Sequence, residues 1–107
     1  MDKRIKNAVK YIDENLERKI ILKEIAKISN LSYSRFAELF KKELNMNFSA
    51  YLKMTRIAHA KELLKNDSLS IKEISYKTGY KHISNFNHDF KNITGISPSK
   101  YKRKYYP

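Results

Sequence analysis

The fold is decided by residues 70–90, SIKEISYKTGYKHISNFNHDF. Ser70 and Glu73 form the S-x-x-E pattern of a capping box, which is typical of the first turn of a helix. Gly79 is placed to end that helix, because the turn takes a left-handed residue and glycine adopts that conformation without steric cost. The F-x-x-x-F spacing that closes the stretch puts two aromatic rings on one face of a second helix. The stretch therefore predicts a helix-turn-helix unit.

An earlier stretch, residues 21–40 (ILKEIAKISNLSYSRFAELF), repeats this pattern. Asn30 matches Gly79 after 49 residues and the two phenylalanines match after 50, so the second turn holds one extra residue. Ala26 and Ser75 are the small residues needed where the two helices of each copy cross closely. Two copies in register predict two helix-turn-helix units. The alternative is a duplicated helical bundle with a packing role only.

Apolar residues recur at helical spacing outside the two copies as well, so we predict an all-α chain of about seven helices. Asn47 can cap a long helix from about Phe48 to Leu64, which at ~1.5 Å per residue spans roughly 25 Å. Ser97 followed by Pro98 predicts the start of a last short helix, and the tail KRKYYP after it is expected to fray. One domain, 1–107, is thus divided into a first unit, a linker helix and a second unit, at 1–46, 47–66 and 67–107. The apolar side chains expected to point inward are Ile5, Val9, Ile12, Leu16, Leu22, Ile25, Phe36, Leu39, Phe40, Leu44, Leu52, Ile57, Ala60, Leu64, Ile71, Ile74, Ile83, Phe86 and Phe90.

Composition limits the function. The 107 residues include 23 Lys and Arg against 11 Asp and Glu, and the net charge of +12 indicates a polyanionic partner. The absence of cysteine excludes disulfides, thiolate zinc sites and a cysteine nucleophile. The three histidines lack the spacing of a metal-ligand set, and no glycine-rich nucleotide loop is present. We therefore expect neither an enzyme nor a bound cofactor or metal.

A further pattern of residues runs through the second half of the chain: Arg56, Ile57, Ala60, Leu63, Leu64, Ser70, Ile71, Glu73, Ile74, Gly79, Tyr80, Phe86, Phe90, Lys91, Thr94, Gly95, Ser97, Pro98 and Tyr101. Through this pattern the chain resembles the DNA-binding domain of the AraC/XylS-type transcription regulators, over about residues 3–104. Three residues depart from the family pattern, since Asn45, Asn47 and Phe48 stand where the family commonly has Gly, Ser and Pro.

The resemblance implies two recognition helices that enter successive major grooves of double-stranded DNA. Successive major-groove segments lie about one turn, ~34 Å, apart, a spacing that the linker helix and the two units could match. A monomer would then read both half-sites. The resemblance also implies RNA polymerase as a partner, a place in the cytoplasm at the nucleoid, and dimer formation, where it occurs, through a sensing domain absent from this chain. Both a standalone regulator and the C-terminal part of a longer one fit the sequence.

The candidate DNA contacts are of two kinds, contacts to base edges and contacts to phosphates. In the first unit the resemblance assigns base reading to Ser34, Arg35, Ala37 and Glu38. In the second unit the outward side chains Ser84, Asn85, Asn87 and His88 are the base-contacting candidates, and asparagine can pair with adenine through two hydrogen bonds. The candidates for phosphate contact are Ser32, Lys41, Lys42, Arg56, Lys81, Lys91, Ser97, Lys100 and Lys102. The alternatives are a nonspecific nucleic-acid-binding module and a protein-interaction adaptor.

Overall fold

The computed structural model describes residues 1–107 and contains seven helices and no strand, which confirms the all-α prediction. None of these helices combines the length and the apolar composition needed to cross a bilayer. The chain divides into two units, Met1–Leu52 and Lys53–Pro107, at a boundary that falls within the fourth helix. The helices are α1 (Lys3–Glu14), α2 (Leu22–Ile28), α3 (Tyr33–Leu44), α4 (Phe48–Leu63), α5 (Ile71–Lys77), α6 (Ile83–Thr94) and α7 (Pro98–Tyr105).

The core of the first unit is built around the two aromatic rings of α3. Phe36 and Phe40 are fully buried, as predicted. The ring of Phe40 meets those of Phe48 and Tyr51 edge to face, at centroid distances of 5.5 and 5.4 Å. The start of α4 therefore completes the first core. The other buried members are Ile5, Ala8, Ile12, Leu16, Ile25 and Ala26, while Val9, Leu22, Leu39, Leu44 and Leu52 are partly buried.

The core of the second unit repeats this plan with the later turns of α4. Phe86 and Phe90 are fully buried, together with Ile57, Ala60, Leu64 and Ile74. The rest of α4 thus supplies one wall of the second core. Ile83 was expected in this core, but it is 37% exposed. It is the first residue of α6, and the second core packs against the helix only from Phe86 onward.

The expectation that the C-terminal tail frays is wrong. Helix α7 continues through Tyr105, and Tyr106 is partly buried against the second core. The ring of Tyr101 packs edge to face on Phe90 at 5.4 Å and lies 6.1 Å from the ring of Tyr106. Aromatic packing by Tyr101, just before the tail, and by Tyr106, near its end, therefore holds the basic residues between them in a helix.

The turn of each helix-turn-helix unit has the same hydrogen-bond pattern. Asn30 and Gly79 both adopt positive φ, 62° and 92°. In the first unit the N–H of Leu31 donates to the carbonyl of Ala26 at 3.0 Å, and in the second Tyr80 donates to Ser75 at the same distance. This six-to-one bond is that of a Schellman motif, and it confirms the repeat that the sequence indicated.

The predicted caps at Asn47, Ser70 and Ser97 are present, and Ser32 caps a fourth helix. The hydroxyls of Ser32, Ser70 and Ser97 each accept from the backbone N–H three residues later, and the side chain of Asn47 accepts from Ala50. Glu73 accepts in return from the backbone N–H of Ser70, which completes the capping box. Such caps satisfy helix N–H groups that have no partner within the helix.

Gly95 permits a direct test of how backbone conformation contributes to stability. Its φ is +89° and a Cβ added there would meet no atom within 4 Å, so only backbone strain opposes a side chain. We expect Gly95→Ala to lower the free energy of unfolding by about 1 kcal/mol, because a left-handed residue with a Cβ costs ~1–2 kcal/mol. Gly95→Asn should cost less, since Asn45 occupies the matching position at φ 59°. Urea unfolding midpoints measure both, and an alanine variant as stable as the wild type would contradict the expectation.

Candidate nucleic-acid interface

Helix α3 presents its predicted base-contacting residues on the side opposite its core. Phe36 and Phe40 point inward, so Ser34, Arg35 and Glu38 are exposed and Ala37 is partly exposed. Arg35 and Glu38 approach each other to 3.8 Å, and both side chains are mostly exposed. Exposed pairs of this kind are weak, so both side chains can exchange this contact for another partner.

A groove of about 480 Å³ runs beside this surface of α3. The starts of α2 and α4 border it, and its wall includes both apolar and polar side chains. Its lining residues are Leu22, Tyr33, Ala37, Glu38, Lys41, Asn47, Phe48 and Ser49.

Helix α6 presents the second predicted set in the same way. Ser84, Asn85, Asn87 and His88 are all exposed, opposite the buried phenylalanines. The Nε2 atom of His88 lies 3.4 Å from the amide nitrogen of Asn92, one turn later. Each of the four residues lies 50 positions after its counterpart on α3. Each unit therefore brings its own four candidates together on one helix surface.

Most of the predicted phosphate-contacting residues are exposed, and two have partners within the second unit. Arg56 is partly buried and donates through Nη1 to the carbonyl of Gly79 at 2.9 Å. Lys102 is partly buried and pairs with Asp67 at 3.4 Å. The exposed candidates are Ser32, Lys41, Lys42, Lys81, Lys91 and Lys100, and Ser97 is partly buried as the cap of α7.

A polar cluster at the second turn was not found from the sequence. The hydroxyl of Tyr80 donates to Oδ2 of Asp89 at 2.8 Å, and the guanidinium of Arg56 lies 5.7 Å from the centre of the Tyr80 ring. Burial raises the pKa of the Tyr80 phenol, and the hydrogen bond to Asp89 acts in the same direction, so the phenol stays protonated at neutral pH. Burial lowers the pKa of the Arg56 guanidinium. Alignment of the two copies could have indicated this cluster. Tyr80 and Asp89 stand at positions where the first copy has the apolar residues Leu31 and Leu39.

Three comparisons relate the chain to known proteins. The family model described as "Helix-turn-helix domain" matches residues 25–104. The lactose operon transcription activator of Staphylococcus xylosus is 35% identical over 101 residues, which are 94% of this chain and 36% of that protein. This chain thus spans about a third of the length of that curated relative.

Two solved structures have the same fold. A transcriptional regulator from Chromobacterium violaceum, described as having an AraC-type DNA-binding domain, superimposes with a TM-score of 0.86 at 26% identity. The alignment covers 94% of this chain and 90% of that one. The DNA-binding domain of the global transcriptional factor AdpA, solved with a target DNA, gives a TM-score of 0.92 at 20% identity, with 97% and 94% of the two chains covered.

Proposed function

Because this chain belongs to the AraC-type helix-turn-helix family, we propose that it binds double-stranded DNA sequence-specifically and regulates transcription, with α3 and α6 as its two recognition helices. The duplicated unit carries this proposal. Each copy buries an F-x-x-x-F pair and presents four candidate base-contacting residues at matching positions. Side chains near the start of such a helix reach base edges in the major groove. We propose that the two helices occupy successive major-groove segments.

The two units differ in how they would hold DNA. The first contains 11 basic and 7 acidic residues, and the second contains 12 and 4. The second unit should therefore supply more of the salt-dependent attraction to phosphates. Its Asn85 and Asn87 can each pair with adenine, whereas the surface of the first carries an acidic group. Arg56 donates to the carbonyl of Gly79 at the turn, so we propose that its role is to hold this turn and not to contact phosphate.

Selection from a randomised ~30-bp duplex pool at about 0.15 M salt tests the proposal. We expect the bound fraction to be enriched in a bipartite motif whose two boxes lie about one helical turn apart. Retention without enrichment would instead indicate a nonspecific nucleic-acid-binding module. No retention would indicate a protein-interaction adaptor.

Glu38 should set the base preference of the first unit. A carboxylate cannot pair with guanine but can accept from the N4 amino group of cytosine. Glu38→Ala and Glu38→Arg are therefore expected to alter base preference in one box. The binding free-energy difference between the preferred base and the others should change there by about 1–3 kcal/mol, and preference in the other box should stay unchanged. Repeating the selection with each variant measures this. An unchanged preference at every position would show that Glu38 is a solvated surface residue.

We also propose that the regulator activates transcription and contacts RNA polymerase in doing so. The relative named a lactose operon transcription activator supports this proposal. The exposed acidic residues Asp13, Glu14 and Glu17 are the candidate contacts. Changing all three to alanine should lower activated transcription in vitro while operator affinity is maintained. Equal transcription by the variant and the wild type would contradict the assignment.

A further inference from the structure

We propose that Tyr80 is a positioning residue for the second recognition helix. Its hydroxyl binds the carboxylate of Asp89 and so leaves the amide of Asn85, one turn earlier on α6, available to DNA bases. The inference rests on the proposed function, because it assigns a role within the same DNA-reading surface.

The Tyr80 side chain is held in place from three sides. It is 9% exposed, and its ring meets that of Phe86 edge to face at 5.4 Å. The guanidinium of Arg56 lies 5.7 Å from the ring centre and donates to the carbonyl of Gly79, the residue before Tyr80. The phenol oxygen is thereby fixed 2.8 Å from Oδ2 of Asp89. A hydrogen bond to an ionised acceptor is stronger than one between neutral groups.

The first unit shows what this pair replaces. Leu31 and Leu39 occupy the matching positions there, and both are partly buried against the first core. Two leucines would be sufficient for packing in this fold. The second unit has instead a phenol and a carboxylate that satisfy each other, so the pair has a role that packing alone does not require.

That role follows from the position of Asp89 on α6. It is the one acidic residue in the helix, and Asn85 precedes it by four positions, which places both side chains on the same helix face. Amide and carboxylate side chains at this spacing form hydrogen bonds to each other. A carboxylate without the Tyr80 hydroxyl would compete with DNA for the Asn85 amide.

A double-mutant cycle on the full chain tests the coupling. The probe is the duplex enriched from the randomised pool, and the variants are Tyr80→Phe, Asp89→Leu and the double variant. We expect Tyr80→Phe to weaken binding about 2- to 10-fold, which corresponds to one hydrogen bond. Asp89→Leu alone should have little effect, whereas in the Tyr80→Phe background it should restore affinity. Tyr76→Phe is the matched control, because Tyr76 is an exposed tyrosine of the same unit.

A measurement without DNA keeps the inference separate from the proposed function. In the ¹⁵N-labelled protein alone, Tyr80→Phe should shift the side-chain amide signals of Asn85, and the double variant should return them toward the wild type. Additive effects on binding, or unmoved Asn85 signals in Tyr80→Phe, would overturn the inference. Failure of the wild type to enrich any sequence would overturn the proposed function, and the Asn85 signals would still decide whether Tyr80 controls that side chain.

Discussion

Replacing Phe90 with alanine is expected to unfold the second unit at 25 °C while the first remains folded. Phe90 is fully buried and its ring packs against Phe86 at 5.8 Å and Tyr101 at 5.4 Å. Removing a buried phenylalanine costs about 3–5 kcal/mol, through lost transfer energy and the cavity left behind. A core in so small a unit rarely supplies more than ~3–5 kcal/mol of net stability. The stability lost on truncation is therefore as large as the net stability of the second unit.

Backbone amide signals in NMR spectra recorded during urea titration would report each unit separately. Ile93→Ala on the same helix is the control, because Ile93 is 44% exposed and its truncation should cost little. Phe40→Ala is the matched variant of the first core and should reverse which unit unfolds. A Phe90→Ala protein whose second-unit signals keep their wild-type dispersion in the absence of urea would contradict the expectation.

Replacing Asn87 with alanine should lower affinity for the selected duplex about 5- to 150-fold. Asn87 is exposed on α6, and a well-formed pair between asparagine and adenine contributes ~1–3 kcal/mol of discrimination. Because asparagine and alanine are both uncharged, the electrostatic attraction to phosphates is retained and the affinity for an unrelated duplex should change little. Fluorescence anisotropy titrations with both duplexes measure the two affinities.

Lys91→Ala provides the contrasting control on the same helix. Lys91 is exposed, and a lysine that contacts phosphate contributes equally to all sequences. Its removal should weaken binding to both duplexes and reduce the slope of log affinity against log salt by about 1. If Asn87→Ala weakened both duplexes equally, Asn87 would not be reading a base.

Local chemistry explains why much of the fold was predictable from the sequence. The capping box at Ser70 and Glu73, the left-handed residues Asn30 and Gly79, and the F-x-x-x-F pairs each depend on residues within one or two turns. Such features can be recognised in short stretches of sequence. Duplication made the prediction stronger, because each copy supported the interpretation of the other.

The features that were missed depend on residues distant in sequence or on the ends of elements. Arg56 and Gly79 are 23 positions apart, and no periodicity indicates that their groups meet. The ordered tail depends on Tyr106 packing against residues of other helices, which composition alone did not indicate. Ile83 fits the apolar pattern of α6, but its position at the first residue leaves it outside the core. The assignment of individual bases to α3 and α6 stays a prediction, because it depends on DNA as well as on the chain.

The four left-handed residues of the repeat differ between the units in a way that affects the denatured chain. The first unit uses asparagine at 30 and 45, and the second uses glycine at 79 and 95. Asparagine bears its cost as strain in the native state, whereas glycine bears it as conformational entropy lost from a more flexible unfolded chain. An entropic penalty grows in proportion to absolute temperature. The turns of the second unit therefore become relatively more costly to form on heating, although their native geometry matches that of the first.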